Sequence, residues 1–341
     1  MIDNYKKKIV RARAPLRLGF AGGGSDVPPY CDIYGGAVLN STIDRYAYAT
    51  ISYNDKDAVE FHAQDKNIID SCSIATFNEY NHSLVLHREI YNYVVKKFNN
   101  SELCAIKLST FCDAPPGSGL GSSSTLVVAI LKAFLKFFDV ELSDYDLAKT
   151  AYEIERIKCK LNGGRQDQFA ATFGGMNFIE FNKNFECLVT PLRIKEEVFN
   201  ELEASIVLYF TGTSRDSAKI INDQSLNVKN KNEISIDSMH AIKKEAYDMK
   251  NAILMNDFSA FVDSIKHGWE NKKKSSKAVS NNLIDKVYNH AIENKALAGK
   301  VSGAGGGGFM WFYVSPLNRI QLMNSLASLG GIVSNCHFVQ R

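Results

Sequence analysis

Three short glycine-rich segments carry the residue types from which this chain could build a phosphate site. The middle one, Pro115 to Ser124, reads Pro-Pro-Gly-Ser-Gly-Leu-Gly-Ser-Ser-Ser and runs into an apolar stretch that predicts a helix at residues 126–138. Glycines tolerate positive φ and close backbone approach, and the free N–H groups and positive dipole end of a helix attract anions. The segment therefore predicts a phosphate-binding loop.

The loop differs from two common nucleotide motifs. Ser122 follows Gly121 where the lysine-containing loop G-x-x-x-x-G-K-[ST] requires lysine. Nor does it match the dinucleotide fingerprint G-x-G-x-x-G. Taken alone, it leaves open a glycine-serine turn that only caps a buried helix. The predicted nucleotide contacts are Pro116, Gly117, Ser118, Gly119, Leu120, Gly121, Ser122, Ser123 and Ser124.

Two further segments favour the phosphate interpretation. Residues 13–30 form an alternating, strand-like stretch that ends in Gly22-Gly23-Gly24-Ser25-Asp26, and residues 301–309 read Val-Ser-Gly-Ala-Gly-Gly-Gly-Gly-Phe. In this order the three segments resemble the signature motifs of the GHMP kinases, the superfamily of galactokinase, homoserine kinase, mevalonate kinase and phosphomevalonate kinase. The resemblance spans nearly the whole chain.

Within that superfamily, the first segment is most similar to the D-glycero-D-manno-heptose 7-phosphate kinases, whose motif reads R-A-P-L-R-x-x-F-A-G-G-G-[ST]-D. Galactokinases have G-E-H-T-D here, and this chain keeps the aspartate, Asp26, but lacks the Glu-His pair. The resemblance implies that Asp26 accepts sugar hydroxyls, with Gly23, Gly24 and Ser25 beside it. It speaks against galactose as the substrate.

The resemblance also implies a catalytic pair. Asp167, within Gly-Gly-Arg-Gln-Asp-Gln-Phe, falls where galactokinases have Met-Asp-Gln-Phe and mevalonate kinases Val-Asp-Asn, with the aspartate facing the acceptor hydroxyl. Arg17 falls on the arginine of the galactokinase A-P-G-R block, where a guanidinium could pair with Asp167 and bridge to the γ-phosphate. Without the resemblance, the two residues are an exposed helix-start acid and a strand-end arginine bound to a surface carboxylate. Whether Asp167 takes the proton early or mainly orients the hydroxyl stays open.

The implied metal is Mg²⁺, bound beside ATP. Glu153-Ile154-Glu155-Arg156 resembles the Glu-Gly-Glu-Arg of mevalonate kinase, whose second glutamate binds metal, and Ser123 matches the second serine of its Gly-Ser-Ser. A carboxylate and a hydroxyl suit a small, hard cation. Because Glu155 lies one residue further from Asp167 than in mevalonate kinase, Glu153 stays an alternative.

Further substrate contacts are expected in three places. Thr211 to Ser217 offers hydroxyls and Arg215, a composition suited to a substrate phosphate, although an ordinary capped helix start fits equally well. Gly305 and Gly306 of the third glycine segment are also predicted to contact the substrate. The run Lys272-Lys273-Lys274 is interpreted as a solvated helix face in preference to a phosphate site.

Composition narrows the protein class. The chain has 341 residues, 45% hydrophobic and 23% charged, with a net charge of +3 that argues against nucleic-acid and membrane partners. Seven scattered cysteines favour reduced thiols over disulfides or zinc sites. The lysine-rich N-terminus lacks the apolar region of a signal peptide. We therefore expect a soluble, cytoplasmic protein whose partners are ATP and a small sugar phosphate; oligomeric state stays open.

The order of elements indicates an α+β protein of two domains. The resemblance adds the specific fold: residues 1–183 as the ATP-binding domain with a left-handed β-α-β unit, residues 184–341 as a ferredoxin-like domain, and an active site between them. Strands are predicted near residues 9–17, 38–52, 58–62, 103–111, 176–181, 205–210, 309–314 and 332–338. Helices are predicted near residues 84–98, 126–138, 143–160, 166–172, 217–222, 234–255, 258–276, 281–296 and 317–329.

The resemblance implies a specific reaction: ATP-dependent phosphorylation of the anomeric hydroxyl of D-glycero-D-manno-heptose 7-phosphate to the 1,7-bisphosphate, on the way to a nucleotide-activated heptose for surface glycans. A fucose-type kinase acting on an unphosphorylated sugar is one alternative. A sugar sensor that keeps the fold without turnover is another. The joint presence of Asp167, Arg17, Glu155 and Ser123 favours an enzyme.

Overall fold

The computed structural model describes residues 8–183, 186–213 and 217–339, whose strands form two sheets flanked by helices. The strands are β1 (Ile9–Ala21), β2 (Gly36–Tyr53), β3 (Ala58–Ala63), β4 (Ile68–Ser73), β5 (Ile106–Cys112), β6 (Met176–Phe181), β7 (Cys187–Pro191), β8 (Ile206–Phe210), β9 (Ala296–Val301), β10 (Phe309–Val314) and β11 (Ile332–Asn335). The helices are α1 (Tyr30–Tyr34), α2 (Val85–Phe98), α3 (Ser122–Phe137), α4 (Asp144–Tyr152), α5 (Gln166–Phe173), α6 (Glu196–Ser205), α7 (Ser217–Lys229), α8 (Glu233–Leu254), α9 (Phe258–Ser275), α10 (Asn282–Glu293) and α11 (Arg319–Ala327). The predicted α+β class is confirmed.

The first sheet is organised around the long strand β2. Its strand order is β4-β3-β5-β2-β6-β7, and β1 pairs with β2 in antiparallel register from Ile9 opposite Ser52 to Ala21 opposite Leu39. Among the described strands of this sheet, β3 and β5 form the one parallel pair, and α2 lies in the connection between them. Strand β3, helix α2 and strand β5 therefore form the β-α-β unit of the sheet.

Helix α3 lies at the centre of the first half of the chain. Its sequence, Ser-Ser-Ser-Thr-Leu-Val-Val-Ala-Ile-Leu-Lys-Ala-Phe-Leu-Lys-Phe, is apolar on nearly every side, and residues Val127 to Leu131 are fully buried. A helix that is apolar all round requires a buried position. Packing against β1, β2, α2, α4 and α5 provides it. The N-terminus of α3, with the glycine loop before it, is thereby held in one place.

The second sheet has the ferredoxin-like strand order. Strands run β11-β8-β10-β9, and each neighbouring pair is antiparallel. Numbered along the chain, this is the order 4-1-3-2, with helices between β8 and β9 and α11 between β10 and β11. The ferredoxin-like arrangement expected from the resemblance is confirmed.

The two sheets are joined by chain segments and by a shared core. The N–H of Val339 donates to the carbonyl of Thr42 at 2.9 Å, so the end of the described chain returns to β2 of the first sheet. Strand β7, which follows the predicted boundary at 183/184, pairs with β6 of the first sheet. Phe20 of β1 packs edge-on against Trp311 of β10, with ring centroids 5.6 Å apart. The boundary itself stays a prediction.

Several elements differ from the sequence-based expectation. The segment Ala-Leu-Ala-Gly-Lys-Val at 296–301 contains good helix formers, yet it is strand β9, because pairing with β10 outweighs local propensity. The helix expected to run to residue 160 leaves α geometry after Tyr152 and continues as a wider π turn at Glu153–Lys158. Among the described residues, no helix combines the length and apolarity needed to cross a membrane.

Candidate active site

The loop between β5 and α3 has the backbone expected of an anion-binding loop. Gly117, Gly119 and Gly121 have φ values of +73°, +83° and +78°, as their sequence predicts. At Gly119 a Cβ would overlap the carbonyl of Ser302, so glycine is needed for the two glycine-rich loops to pack together. The middle and third glycine segments of the chain therefore meet at the start of α3.

The first turn of α3 opens into a cavity of about 260 Å³, here called the large cavity. Ser123 is exposed toward solvent, whereas Ser124 is buried and its hydroxyl accepts from Arg156 and Gln168 at 3.1 Å each. Within the part of the chain that the structure describes, no side chain caps the helix, so its first N–H groups remain available to an anion. The large cavity is lined by Arg17, Gly117, Gly119, Gly121, Ser122, Ser123, Ser124, Glu155, Arg156, Leu161, Asn162, Gly163, Gly164, Asp167, Ala218, Ile221, Gly303 and Ala304.

Arg17 and Asp167 form an ion pair in the wall of this cavity. Nε and one terminal nitrogen of Arg17 each lie 2.7 Å from Oδ1 of Asp167, and the other terminal nitrogen donates to the carbonyl of Gly119 at 2.6 Å. The arginine is buried, while a fifth of the Asp167 side chain is exposed. Since both bonds from Arg17 end on Oδ1, and no other described group bonds the carboxylate, Oδ2 is free to accept from a ligand hydroxyl.

The same pair lines a second cavity, of about 50 Å³, here called the small cavity. Asp167 therefore faces two spaces, one beside the glycine loop and one beside the first glycine segment. This is the geometry of a group that stands between two ligands. The small cavity is lined by Arg17, Gly23, Gly24, Asp26, Val27, Gly164, Gln166, Asp167, Ile221, Gln224, Lys272, Gly303 and Ala304.

Asp26 is held rigidly in the wall of the small cavity. Its Oδ1 accepts from the N–H of Gly24 and from Nε2 of Gln166, both at 3.0 Å, and Oδ2 accepts from the N–H of Gln166 at 3.1 Å. Gly164 allows this approach, because a Cβ there would overlap the Asp26 carboxylate. The aspartate thus ties the first glycine segment to the start of α5, and keeps remaining lone pairs for a ligand.

The surroundings of Glu155 fit those of a metal ligand. The side chain is fully buried in the wall of the large cavity; its Oε2 accepts from Gln168 at 2.7 Å. Its Oε1 lies 3.1 Å from a nitrogen of Arg156 but has no aligned hydrogen bond among the described residues. A buried carboxylate oxygen without a hydrogen bond, in a cavity that Ser123 also lines, fits a hard cation. Glu153, the alternative from the sequence, is exposed and does not line the cavity.

The expectation of a solvated lysine face on α9 is wrong for Lys272. Only 4% of this residue is exposed, and its Nζ donates to the carbonyl of Gly23 at 3.1 Å. Burial lowers the pKa of Lys272 to about 7; Lys300 acts in the same direction and Asp26 opposes it. Lys273 and Lys274 do reach the surface. Lys272 is the lysine that lines the small cavity, because it lies on the same buried face of α9 as Ile265 and Trp269.

Several predicted contacts lie outside the cavity walls. Gly306 turns away from the cleft, since its N–H donates to the carbonyl of Val279 at 2.8 Å; Gly305 packs against the same residue, and Gly303 and Ala304 line the cavities instead. Ser25 is buried and its hydroxyl donates to the carbonyl of Ala37 at 2.9 Å. Arg215 lies outside the described residues.

Three residues of the central loop also contribute no side chain to the large cavity. Leu120 is fully buried in the apolar core, where hydrophobic burial fixes it, and Ser118 is likewise inaccessible. Pro116 is exposed on the outside of the loop. The glycines between them, together with Ser122, Ser123 and Ser124, form the cavity wall.

Sequence reasoning missed some residues of the site. Gln166 stands next to Asp167 in the same motif, and its helix-start position was the available signal. Lys272 follows Ile265 by seven residues and Trp269 by three, a spacing that places it on the buried face of α9. Lys300 precedes the third glycine segment, but nothing in its surroundings marked it as buried.

Comparisons with known proteins agree with this geometry. The family profile described as "GHMP kinases N terminal domain" matches residues 85–175. The chain is 42% identical, over 98% of its length and 97% of the relative, to D-glycero-alpha-D-manno-heptose 7-phosphate kinase of Campylobacter jejuni. It is 26% identical, over 89% of its length but 30% of the relative, to the bifunctional fucokinase/GDP-fucose pyrophosphorylase of Arabidopsis thaliana.

A solved structure is also similar to nearly the whole chain. The crystal structure of a D-glycero-D-manno-heptose 1-phosphate kinase from Bacteroides thetaiotaomicron superimposes with a TM-score of 0.80 at 39% identity. The match covers 98% of this chain and 97% of that one. The similarity therefore includes both sheets and the cleft between them.

Proposed function

Because the chain belongs to the GHMP kinases, a family of ATP-dependent kinases, we propose that it phosphorylates the anomeric hydroxyl of D-glycero-D-manno-heptose 7-phosphate. One observation carries the proposal: the Arg17–Asp167 pair separates a glycine-lined cavity from a second cavity walled by Asp26 and Lys272. Phosphoryl transfer needs a donor on one side and an acceptor on the other, with a carboxylate at the junction.

The large cavity suits the nucleotide. The positive-φ glycines and the uncapped start of α3 present backbone N–H groups to phosphate oxygens. Arg17 and Arg156 add fixed cations along the same wall. These groups neutralise charge on the β- and γ-phosphates without a lysine in the loop.

Glu155 and Ser123 are the residues that would hold Mg²⁺. The bound cation neutralises charge on the phosphate oxygens during transfer. Gln168 and Arg156 fix the orientation of the Glu155 carboxylate through contacts of 2.7 and 3.1 Å. The side chain is therefore pre-organised before any ligand binds.

Asp167 serves the acceptor hydroxyl in this proposal. The hydroxyl oxygen forms a bond to the γ-phosphorus while the bond from that phosphorus to the β,γ-bridging oxygen breaks, and ADP leaves. The hydroxyl proton passes to Oδ2 of Asp167, since Oδ1 is engaged by Arg17. Arg17 holds the carboxylate in position and lies close enough to the loop to stabilise the transferred group.

The sugar is inferred from the relatives and from the small cavity. Asp26 and Gln166 offer acceptors and donors for hydroxyls, and Lys272 offers a cation. The two heptose-phosphate kinases similar to this chain are named for substrates phosphorylated at C7 and at C1. We favour the 7-phosphate, whose free anomeric hydroxyl would give the 1,7-bisphosphate, a precursor of a nucleotide-activated heptose made in the cytoplasm. All seven cysteines lie in the described residues as free thiols, in keeping with that compartment.

A fucose-type kinase is the second candidate, supported by the 26% identity to a fucokinase. The decisive experiment measures Mg²⁺-dependent ADP release with heptose 7-phosphate, heptose 1-phosphate, unphosphorylated heptose, fucose and galactose, followed by ³¹P NMR of the product. We expect the highest kcat/KM with heptose 7-phosphate and a new phosphate signal at C1. A higher kcat/KM with fucose, or phosphorylation at another carbon, would reject the proposed reaction.

A further inference from the structure

Three buried charged residues, one of which lines the small cavity, have no role in the transfer step described above. Lys272 lies on α9, Lys300 on β9 and Glu245 on α8, and each is at most 5% exposed. Gly268 leaves room for the carboxylate of Glu245, because a Cβ at that position would overlap it. Burial of charge costs free energy unless a partner compensates it, so this cluster calls for a ligand or a structural reason.

Lys272 and Lys300 each bond one backbone carbonyl, but of the two only Lys272 lines the small cavity. The ammonium of Lys300 donates to the carbonyl of Phe20 at 2.9 Å and thereby links the two sheets. Lys272 lines the small cavity, and its single hydrogen bond among the described residues goes to the carbonyl of Gly23. When Lys272 is charged, its ammonium therefore keeps two N–H bonds for a further acceptor.

Charges of both signs surround Lys272. From β1 it faces Arg17, from β9 Lys300, from α8 Glu245 and from the first glycine segment Asp26. Asp167 of α5 lines the same cavity, but its Oδ1 is engaged by Arg17. Burial and the two neighbouring cations lower the pKa of Lys272 to about 7, against the opposing effect of the carboxylates. A bound dianion would reverse this effect and draw a proton onto the amine.

We propose that Lys272 is the phosphate-binding residue on the acceptor side of the cleft. Its ammonium donates to a phosphate oxygen, which belongs either to the phosphorylated sugar or to the γ-phosphate as it is transferred. This assignment rests on the proposed function, in which the small cavity holds the acceptor. Lys272 would then be the group that distinguishes a phosphorylated acceptor from an unphosphorylated sugar.

The test uses Lys272→Met with Lys273→Met as its matched control. Lys273 is the adjacent lysine on α9, but it is partly exposed and pairs with Glu270 at 2.8 Å. Inorganic phosphate is titrated calorimetrically into each protein, with and without saturating Mg²⁺ and the non-hydrolysable ATP analogue AMPPNP. We expect Lys272→Met to weaken phosphate binding by about ten- to a hundredfold, the loss of one charge-assisted hydrogen bond. Lys273→Met should bind like the wild-type protein.

The analogue distinguishes the two sources of the phosphate. Lys272-dependent binding that persists with AMPPNP assigns the site to the sugar's phosphate, whereas binding that AMPPNP abolishes assigns it to the γ-phosphate. Equal phosphate affinity in Lys272→Met and Lys273→Met under both conditions would overturn the proposal. Because the probe is inorganic phosphate, this result is separate from the sugar specificity, which wild-type turnover alone decides.

A second measurement requires only the wild-type protein and so does not depend on how the variants fold. Sulfate, a dianion that does not titrate near neutral pH, is bound in two buffers of different ionisation enthalpy at about pH 7.5. We expect net proton uptake, because the amine of Lys272 becomes charged as the dianion binds. Binding without proton uptake would contradict the assignment.

Discussion

In the proposed reaction, the Arg17–Asp167 pair would join the roles of phosphate ligand and proton acceptor at one point. The two side chains come from β1 and from α5, and they meet through two contacts of 2.7 Å. Neither residue is distinctive by itself in the sequence; an arginine after a proline-leucine pair and an aspartate at a helix start are common. Their juxtaposition is a property of the fold, and the family motifs were the sequence signal that anticipated it.

The first prediction concerns Asp167→Asn, which keeps size and hydrogen-bonding reach but removes the charge and the proton acceptor. We expect kcat to fall by about 10²–10⁴-fold with little change in KM for either substrate, as for a lost general base. Steady-state kinetics with Asp237→Asn, an exposed aspartate of α8, provide the control. If the residues act as a unit, adding Arg17→Met should cause little further loss. Near-normal turnover in Asp167→Asn would mean that another group serves the hydroxyl.

A second prediction separates the two glutamates of the metal motif. Glu155→Gln should shift the Mg²⁺ dependence of the reaction to higher concentrations, because an amide is a poorer ligand for a hard cation than a carboxylate. Glu153→Gln, at an exposed position two residues earlier, should leave the Mg²⁺ titration unchanged. The opposite pattern would move the metal site from Glu155 to Glu153.

At the scale of elements, the two glycine loops form a single packed unit. Gly119 packs against the backbone of Ser302 and Gly303, whereas Gly121 borders the side chain of Asp167. Both glycines have positive φ, so any larger residue introduces backbone strain at either position. The neighbours of the two glycines differ, however. The backbone that contacts Gly119 cannot move aside, whereas the side chain that contacts Gly121 can.

The third prediction follows from this difference. Gly119→Ala should lower the free energy of unfolding by more than Gly121→Ala, with each variant losing at least about 1–3 kcal/mol from backbone strain alone. For each kcal/mol of stability lost, Gly121→Ala should lower kcat more than Gly119→Ala does, because the new methyl group presses on Asp167. Urea denaturation and steady-state kinetics on the same two variants test both statements. Equal stability of the two variants would contradict the packing argument.

The elements that sequence anticipated best are those whose local pattern and tertiary environment agree. Helix α3 is mostly apolar and mostly buried, and strand β10 is apolar and buried throughout, so composition alone indicated their positions. Strand β9 was missed because its alanines and leucine favour helix, and only pairing with β10 makes it a strand. Lys272 was misjudged for a related reason: a run of three lysines suggests solvent, but helical geometry turns one of them inward.

On the scale of the whole molecule, the two halves share an apolar core as well as a cleft. Phe20 of β1 contacts Trp311, Phe338 and Phe261, all from the second half of the chain, at centroid distances of 5.6, 5.7 and 6.2 Å. The predicted boundary at 183/184 thus divides the sequence, but not this core. Because Arg17 also lies on β1, the strand that contributes to the shared core also carries one residue of the candidate site.

Phe20→Ala tests whether the halves unfold together. Removing a fully buried ring should lower the free energy of unfolding by about 3–5 kcal/mol. The chain has two tryptophans, Trp269 and Trp311, both in the second half, so their fluorescence reports that half alone, while far-ultraviolet circular dichroism reports the whole chain. If the shared core couples the halves, the substitution in β1 should shift both urea transitions equally.

Phe111→Ala is the control. This ring lies on the first sheet and is 42% exposed, so its removal should shift neither transition by more than about 1 kcal/mol. A tryptophan transition that stays in place in Phe20→Ala, while the circular dichroism develops two steps, would show that the halves fold as independent domains.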